Sequence, residues 1–439
     1  MLPILARSLY FSLQRFRGGV TPAVVRAASQ VLAAPRGERN AYVALRLAAV
    51  HGEDADVEWL ARQPLVERST LLAEISRLRA MKLDRRVEAR KTSGSTGTPF
   101  AFLKDVEMTS WMDGTMWALY AWHGIRPGDR QARFWGMPMT PWLRRKRRAI
   151  DWVMHRRRLS AFDIAPDRCA RFFRELRRFR ASHAYGYPTL MVEFATQCEA
   201  AGLDGRELGL RVVISTGELL SPEVRKRLER FFGCRVVNEY GCTESGVIAI
   251  ECEHGTMHLT PVAAYAEIVA PDGAPVPPGE RGEVVVTDLF GAVLPLTRYR
   301  LHDRASRSAI TSCACGRDLD AIDVEVGRLD RFIQTPDRGL VYDAILAYNV
   351  PTEVLRFRAH QTAIDRLCVE LLPGAGFDER KTPEVFRQRL AAALGQSMRI
   401  EIRVVTDIPF SASGKLRYFV PLASSPQADT ELSSSDRRA

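Results

Sequence analysis

Residues 210–241 read LRVVISTGELLSPEVRKRLERFFGCRVVNEYG. An apolar run rich in valine and isoleucine is followed by a Ser-Pro helix start, a charged amphipathic stretch and a second apolar run. That order reads as strand, helix, strand. The alternation continues upstream, where RFFRELRRFRAS (171–182) and TLMVEFATQCEAAGL (189–203) have helical spacing and HAYGYP (183–188) is a short apolar run between them. From about residue 107 to 234 the pattern is that of an α/β domain.

Further out the grain changes. Residues 1–90 look mainly helical, as in STLLAEISRLRAM (69–81). After residue 246 the chain turns to β, in VIAIECEHGTMHLTP (247–261), AYAEIVAPDGAPVPPGERGEVVVTDL (264–289) and LPLTRYRLHDRA (294–305), with PPGERGEV as a hairpin-like turn. A further α+β stretch runs from about 328 through RIEIRVVTDIP (399–409) and SASGKLRYFV (411–420). Residues 424–439 lack apolar content and read as a disordered tail.

The 439 residues are 46% hydrophobic and 26% charged, the balance of a soluble globular chain with more than one domain. No run approaches the roughly 20 apolar residues that span a bilayer. The opening MLPILARSLYFSLQRFRGG interrupts its apolar residues with Arg7, Arg15 and Arg17 and lacks a secretory cleavage pattern, so the expected location is cytoplasmic. As a helix it is amphipathic, suited either to packing on the body or to lying on a membrane surface.

The net charge of +11 is concentrated in WLRRKRRAIDWVMHRRRL (142–159). Such a run suits a solvated helix face, or an anionic partner such as CoA phosphates, an acidic carrier protein or anionic lipid. No nucleic-acid-binding pattern accompanies it, so no nucleic-acid partner is expected.

Eight cysteines in a chain of this length are not a disulfide framework. Cys169, Cys198, Cys234 and Cys368 stand singly in apolar or amphipathic surroundings and read as core residues. Cys313 and Cys315 form a C-x-C pair in SCACGR (312–317), and Cys252 lies in ECEHGTMH (251–258) with His254 and His258. Two short elements that each offer soft ligands fit tetrahedral zinc. Cys252, His258, Cys313 and Cys315 are the preferred set, with His254 the rival histidine and buried thiols the plainer alternative.

Residues 91–100 read KTSGSTGTPF. Gly94 and Gly97 permit close backbone approach, and Thr92, Ser93, Ser95, Thr96 and Thr98 supply hydroxyls, a composition that can form an anion-binding nest. The spacing is not that of a Walker A loop. Alone, the stretch is an ordinary turn. It is followed, however, by NEYGCTESG (238–246), RYRLHD (298–303), GRLD (327–330) and SGKLR (413–417). These five stretches, in this order and at these distances, resemble the core motifs of the adenylate-forming superfamily of acyl- and aryl-CoA synthetases. The resemblance is strongest to the compact branch of phenylacetate-CoA ligases and CapK-like proteins.

That resemblance implies an α/β fold: a large N-terminal AMP-binding domain of helices and sheets with a β-rich subdomain (1–327), and a small α+β C-terminal domain that rotates (328–423). It also implies a two-step reaction. A carboxylate attacks the α-phosphorus of ATP to give an acyl-adenylate and pyrophosphate, and a thiol, here CoA, then displaces AMP.

By the same resemblance Ser93, Gly94, Ser95, Thr96 and Gly97 would hold the β- and γ-phosphates. Thr243 would touch the α-phosphate and Glu244 would bind Mg²⁺. Asp303 would accept from the ribose hydroxyls, Arg328 would steady the nucleotide, and Lys415 would contact the carboxylate and α-phosphate. Gly217 and Glu218 of STGE (215–218), with Glu239, Tyr240 and Gly241, would complete the nucleotide site. Asp330 matches the hinge. After it QTPDRGLVYDAILAYN (334–349) departs from the usual glycine-rich stretch, with Gly339 left to fill that role.

Trp135, Tyr185 and Tyr187 fall where such enzymes build the acyl pocket and suit an aromatic or apolar acid. Transfer to a carrier-protein thiol or an amine is the alternative to CoA. A non-catalytic nucleotide- or lipid-binding relative is a third reading, disfavoured because Thr243, Glu244, Asp303 and Lys415 are all present.

Overall fold

A computed structural model describes residues 8, 10–12, 19–79, 86–91, 101–135, 141–160, 166–218, 220, 222–291, 293–323, 332–351, 353–374, 376–408 and 418–422. Contacts divide the chain into two compact units, Met1–Thr92 with Ala101–Arg328, and a smaller one within Leu329–Ala439.

The larger unit is built on a seven-stranded sheet. Its strands are β1 (Gln131–Trp135), β2 (Arg156–Ser160), β3 (His183–Gly186), β4 (Val212–Thr216), β5 (Arg235–Cys242), β6 (Gly246–Glu251) and β7 (Met257–Leu259). Their order is β2-β1-β3-β4-β5-β6-β7. The first five are parallel, and β6 and β7 return antiparallel. The strand–helix–strand unit of residues 210–241 is therefore β4, a helix and β5, as its periodicity predicts.

Both faces of this sheet are covered, which is why every residue of VVIST in β4 is buried. One face carries helix α1 (Val106–Tyr120), of which ten residues are buried. Gly114 of α1 lets the helix Pro22–Ala33 approach, since a Cβ there would lie 2.7 Å from Val24 Cγ1. On the other face pack α3 (Pro166–Phe179), α4 (Pro188–Ala200) and α5 (Pro222–Phe232), after α2 (Pro141–Val153) at the β2 edge. Phe134 of β1 meets Phe172, Phe194 and Phe232 there, with ring centroids 5.2 to 6.3 Å apart.

A second, antiparallel sheet follows: β8 (Ala264–Val269), β9 (Arg281–Asp288), β10 (Tyr299–Arg307) and β11 (Ile322–Asp323). The PPGERGEV stretch ends the connection from β8 and begins β9, and the two strands pair from Ala264↔Asp288 to Val269↔Glu283. Ala249 and Met257 of the first sheet pack with Ile268, Val284 and Ile322 of the second, joining the two.

In the smaller unit a four-stranded sheet of β12 (Val354–Ala363), β13 (Arg366–Pro373), β14 (Arg399–Val404) and β15 (Phe419–Val420) has the order β14-β13-β12-β15. Helix α6 (Lys381–Leu394) covers it, burying Phe386, Leu390 and Leu394 at four-residue spacing. These side chains pack with Phe357, Leu367, Val369 and Leu371 from the sheet.

Two expectations are corrected. Cys169 and Cys198 are buried, but Cys234, just before β5, and Cys368, in β13, are only half-buried. The basic run 142–159 does not form one solvated face: it is α2 followed by β2. Arg158 is buried in a two-bonded pair with Asp151, both bonds 2.8 Å, and burial lowers the Arg156 guanidinium to about 9.

Candidate active site

In open parallel sheets a ligand crevice forms beyond the carboxyl ends of the strands, where the strand order reverses. Here the reversal lies between β1 and β3, in the order β2-β1-β3-β4-β5. Trp135 ends β1, and its ring stacks on Tyr187 just beyond β3 at 4.4 Å and on Tyr185 at 5.6 Å. The Arg133 guanidinium lies 4.8 Å from the Trp135 ring and 4.7 Å from that of Tyr185, with its Nε buried and without a hydrogen-bond partner among the described residues. Sequence reasoning singled out the three aromatics and passed over the arginine.

Glycines shape the floor. Gly186 has φ 149°, and a Cβ there would lie 1.8 Å from the Phe134 carbonyl oxygen. Gly217 has φ 79°, and its Cβ would meet the Tyr187 ring at 2.7 Å. At Gly186 the clash is with backbone and excludes any L side chain, and at Gly217 a side chain would be strained and would displace the Tyr187 ring.

Glu239 is 5% exposed. It accepts from Tyr120 of α1 at 2.7 Å and from Tyr185 at 3.5 Å. Burial raises its carboxyl, against the hydrogen bonds from Tyr120 and Thr216 and the charge of Arg133. Its carboxylate is thus committed to the sheet face beneath α1, and Glu218 is half-buried beyond β4.

The tip of the β5–β6 hairpin carries Thr243, exposed, and Glu244, half-buried. Burial raises the Glu244 carboxyl, opposed by Lys104 and Arg68. The turn is tight because Gly241 lacks a side chain: a Cβ there would lie 2.4 Å from the Gly246 carbonyl oxygen. Ser245 anchors its far side, donating at 3.2 Å to Asp288, which also takes the Leu296 N–H at 3.0 Å and pairs with Lys104 in the interior. Lys104 and Asp288 are 184 positions apart and belong to no recognisable motif.

Tyr240 and Asp303 come together from different sheets, the Tyr240 phenol donating to Asp303 Oδ2 at 2.9 Å. The strand leading to Asp303 is unusual. His302 and Arg298 both have positive φ, 60° and 43°, conformations that non-glycine residues avoid unless the surroundings enforce them. Arg298 supplies that enforcement: 2% exposed, it binds Glu267 and the carbonyls of Ala61 and Gln63. His302 lies between Glu67 and Glu283, at 3.1 and 3.2 Å. Burial would raise Glu283, but the bonds from His302 and Arg300 outweigh it and hold that carboxyl at about 2.

KTSGSTGTPF connects two paired strands, Val87–Lys91 and Ala101–Asp105, in the register Lys91↔Ala101. The loop residues Ser93 to Gly97 lie outside the described residues, as do Arg328, Asp330 and Lys415.

Away from this crevice, Cys252, His258, Cys313 and Cys315 place their ligand atoms within 4.8 Å of one another. Cys252 and Cys313 have sulfurs 3.7 Å apart, and Cys315 Sγ is 3.3 Å from His258 Nε2. The sulfur spacing is far beyond a disulfide bond of about 2.05 Å. It equals the separation, about 3.8 Å, of two thiolates on one tetrahedral zinc. His258 turns Nδ1 to the Leu319 carbonyl at 3.4 Å, which orients Nε2 to the cluster. Burial would raise the Cys313 thiol, but its hydrogen bonds with Thr256 Oγ1 and the Cys315 backbone bring it down to about 6, towards the ligating thiolate. His254 is exposed and gives the cluster only its backbone N–H, 3.3 Å from Cys252 Sγ. The four side chains fit zinc.

Two family profiles match the chain: "AMP-binding enzyme" over residues 92–289, and "CapK C-terminal domain" over residues 333–421. Protein CapK of Staphylococcus aureus is 21% identical over 75% of this chain and 73% of its own length. A phenylacetate-coenzyme A ligase of Pseudomonas putida is 33% identical over 26% of this chain and 28% of its own length, so that likeness is confined to a quarter of each. Among solved structures, 2-hydroxyisobutyryl-CoA ligase with 2-HIB-AMP and CoA in its thioesterification state superposes with a TM-score of 0.62. That match is 19% identical and covers 92% of this chain and 94% of that one. The fold is therefore that of an adenylate-forming CoA ligase, with a large N-terminal and a smaller C-terminal part. With the five ordered motifs, these matches identify the chain as a member of the adenylate-forming superfamily, in the branch that contains the phenylacetate-CoA ligases and CapK.

Proposed function

We propose that this protein activates a carboxylic acid with ATP, releasing pyrophosphate, and passes the acyl group from the adenylate to CoA. The observation that carries this reading is the clasp of Tyr240 on Asp303 beside the Thr243–Glu244 turn, at the end of β5. A carboxylate acceptor, an exposed hydroxyl and a half-buried carboxylate are the donor set that a ribose, an α-phosphate and a hard cation require.

Attack of the acid on the α-phosphorus gathers negative charge at a five-coordinate centre, and preorganised donors lower that barrier most. Thr243 would donate to the α-phosphate. Asp303, held by Tyr240, would accept the ribose hydroxyls and fix the nucleotide for in-line attack. Glu244 would hold Mg²⁺, which neutralises phosphate charge when bound. The resemblance assigns the β- and γ-phosphates to Ser93–Gly97, the nucleotide to Arg328 and the carboxylate–phosphate contact to Lys415.

The Trp135–Tyr187 stack at the β1/β3 reversal suits the acyl group of an aromatic or apolar acid. Cys252, His258, Cys313 and Cys315 would hold a zinc ion of structural role, tying the β6–β7 hairpin to the loop after β10.

Acid-dependent ATP–pyrophosphate exchange tests the first half-reaction. Exchange with at least one aromatic or fatty acid is the expected result, and none across a broad panel with folded protein and Mg²⁺ would refute the assignment. Product analysis with CoA, a carrier protein and an amine as acceptors tests the second.

A further inference from the structure

At the amino end of the sheet, remote in sequence from the motifs above, α3, the β2 edge and the end of α2 enclose a surface pocket of about 700 Å³. Arg130, Arg157, Arg171, Arg174 and Arg178 line it, against the single carboxylate of Glu175. Glu175 is already taken by Arg157 at 2.8 Å, and Arg171 by Asp167 at 2.9 Å. Arg130 donates to the Phe179 carbonyl at 2.9 Å, and Arg174 and Arg178 meet no carboxylate among the described residues.

Arg171, Arg174 and Arg178 stand at i, i+3 and i+7 on one helix face. Arg171 is paired with Asp167, but Arg174 and Arg178, four positions apart, repel each other mildly, a cost that a shared anion would relieve. The pocket floor is aromatic, with the Arg157 guanidinium 4.5 Å from the Phe179 ring.

The rim supplies a second observation. Trp152, which lines the pocket, is 67% exposed, an unusual position for so large an apolar ring. On α2 it continues a stripe with Arg145 and Arg148, both exposed, at i−7 and i−4. Exposed tryptophan beside arginines is the composition that seats a protein at the interface of an anionic bilayer. Single-stranded nucleic acid, by contrast, is held by an extended charged groove with successive aromatic platforms, and here Phe179 lies under Arg157 while only Trp152 stands out at the rim.

We propose that this pocket binds the phosphate of an anionic phospholipid headgroup and seats the larger unit on a membrane surface, with Trp152 entering the interface. The contact is independent of the adenylation chemistry, because it uses none of the residues assigned to that reaction.

The test is sedimentation of the full chain with vesicles of phosphatidylcholine alone and of phosphatidylcholine with phosphatidylglycerol, over rising salt. Binding to the anionic vesicles only, weakening as salt rises, is expected. Arg174→Glu with Arg178→Glu should lower that affinity at least about tenfold. Trp152→Ala should lower it several-fold and remove a vesicle-induced blue shift of tryptophan emission, while the thermal midpoint of both variants stays near that of the parent. Inorganic pyrophosphate and a short single-stranded RNA form separate arms. No binding to anionic vesicles at low salt overturns the proposal, as does unchanged vesicle affinity in the double variant. Binding of pyrophosphate or RNA without vesicle binding overturns it equally, and assigns the pocket to a soluble phosphate or to nucleic acid.

Discussion

Tyr240 and Asp303, 63 positions apart and on different sheets, are joined by a 2.9 Å hydrogen bond from phenol to carboxylate. The bond fixes a carboxylate on a strand whose preceding residue, His302, is itself in the left-handed region. Tyr240→Phe removes the donor and keeps the ring, which should raise the KM for ATP about fivefold, the worth of roughly 1 kcal/mol. Asp303→Asn should cost about 10- to 100-fold in kcat/KM for ATP. Steady-state kinetics in ATP checks both, and an unchanged KM in the asparagine variant would remove Asp303 from the nucleotide site.

Lys415→Ala should depress acid-dependent pyrophosphate exchange by 100-fold or more, on the order of the loss of one charge-stabilising group. The thermal midpoint should hardly move. Wild-type exchange in this variant would sink the assignment of Lys415.

The Cys252–His258–Cys313–Cys315 cluster predicts one equivalent of zinc in the purified protein, read by metal analysis. Chelation, or Cys315→Ser, should lower the thermal midpoint by several degrees because metal binding contributes directly to folding. His254→Ala should keep the metal and His258→Ala should lose it. Equal zinc content in the two alanine variants would contradict the ligand set.

Lys104 and Asp288 form an ion pair with side chains 3% and 1% exposed. Lys104→Ala strands a buried carboxylate and should destabilise the protein by about 3–5 kcal/mol. Lys104→Met combined with Asp288→Leu should be much milder, since it removes both charges. Denaturant titration separates the outcomes, and a double variant as unstable as the single one would argue against the pairing energy.

Two histidines, the buried His183 and the half-buried His123, predict a loss of stability in acid. Burial, then the charge of Arg235, lowers His123 to about 4, and burial, then Arg156, lowers His183 to about 3. Both folded values lie below the unfolded one near 6.5, so between those limits the unfolded chain binds more protons. Their stabilisation is complete above about pH 6.5 and falls progressively as pH drops towards the folded values, by on the order of 3 kcal/mol for each histidine. Chemical denaturation from pH 7 to 4 should show this slope, and His123→Gln should flatten it. A slope unchanged in that variant would refer the acid sensitivity to other groups.

What the sequence disclosed follows the distance over which each feature is encoded. The β4–helix–β5 unit was legible because its periodicity is local, and Thr243, Glu244 and Asp303 could be named as candidates because each sits within a short motif. The Arg133–Trp135–Tyr185 stack was not, because it depends on β1 lying beside β3, a pairing of strands about 50 positions apart. Lys104 and Asp288 were hidden for the same reason. The choice between His254 and His258 turned on the hairpin register, in which Ile250 pairs with His258 and so presents that ring to the cysteines. The arginines of 156–158 misled because charge runs carry no sign of burial, and Asp151 is what makes the inward turn of Arg158 tolerable.

Gly186 and Gly217 leave no room for even one carbon atom, against the Phe134 carbonyl and the Tyr187 ring. In evolutionary terms the crevice has a frozen floor and editable walls. On the proposed reading of this crevice as the acid's pocket, a change of acid preference falls to Arg133, Trp135 and the aromatic rings they meet rather than to positions 186 and 217.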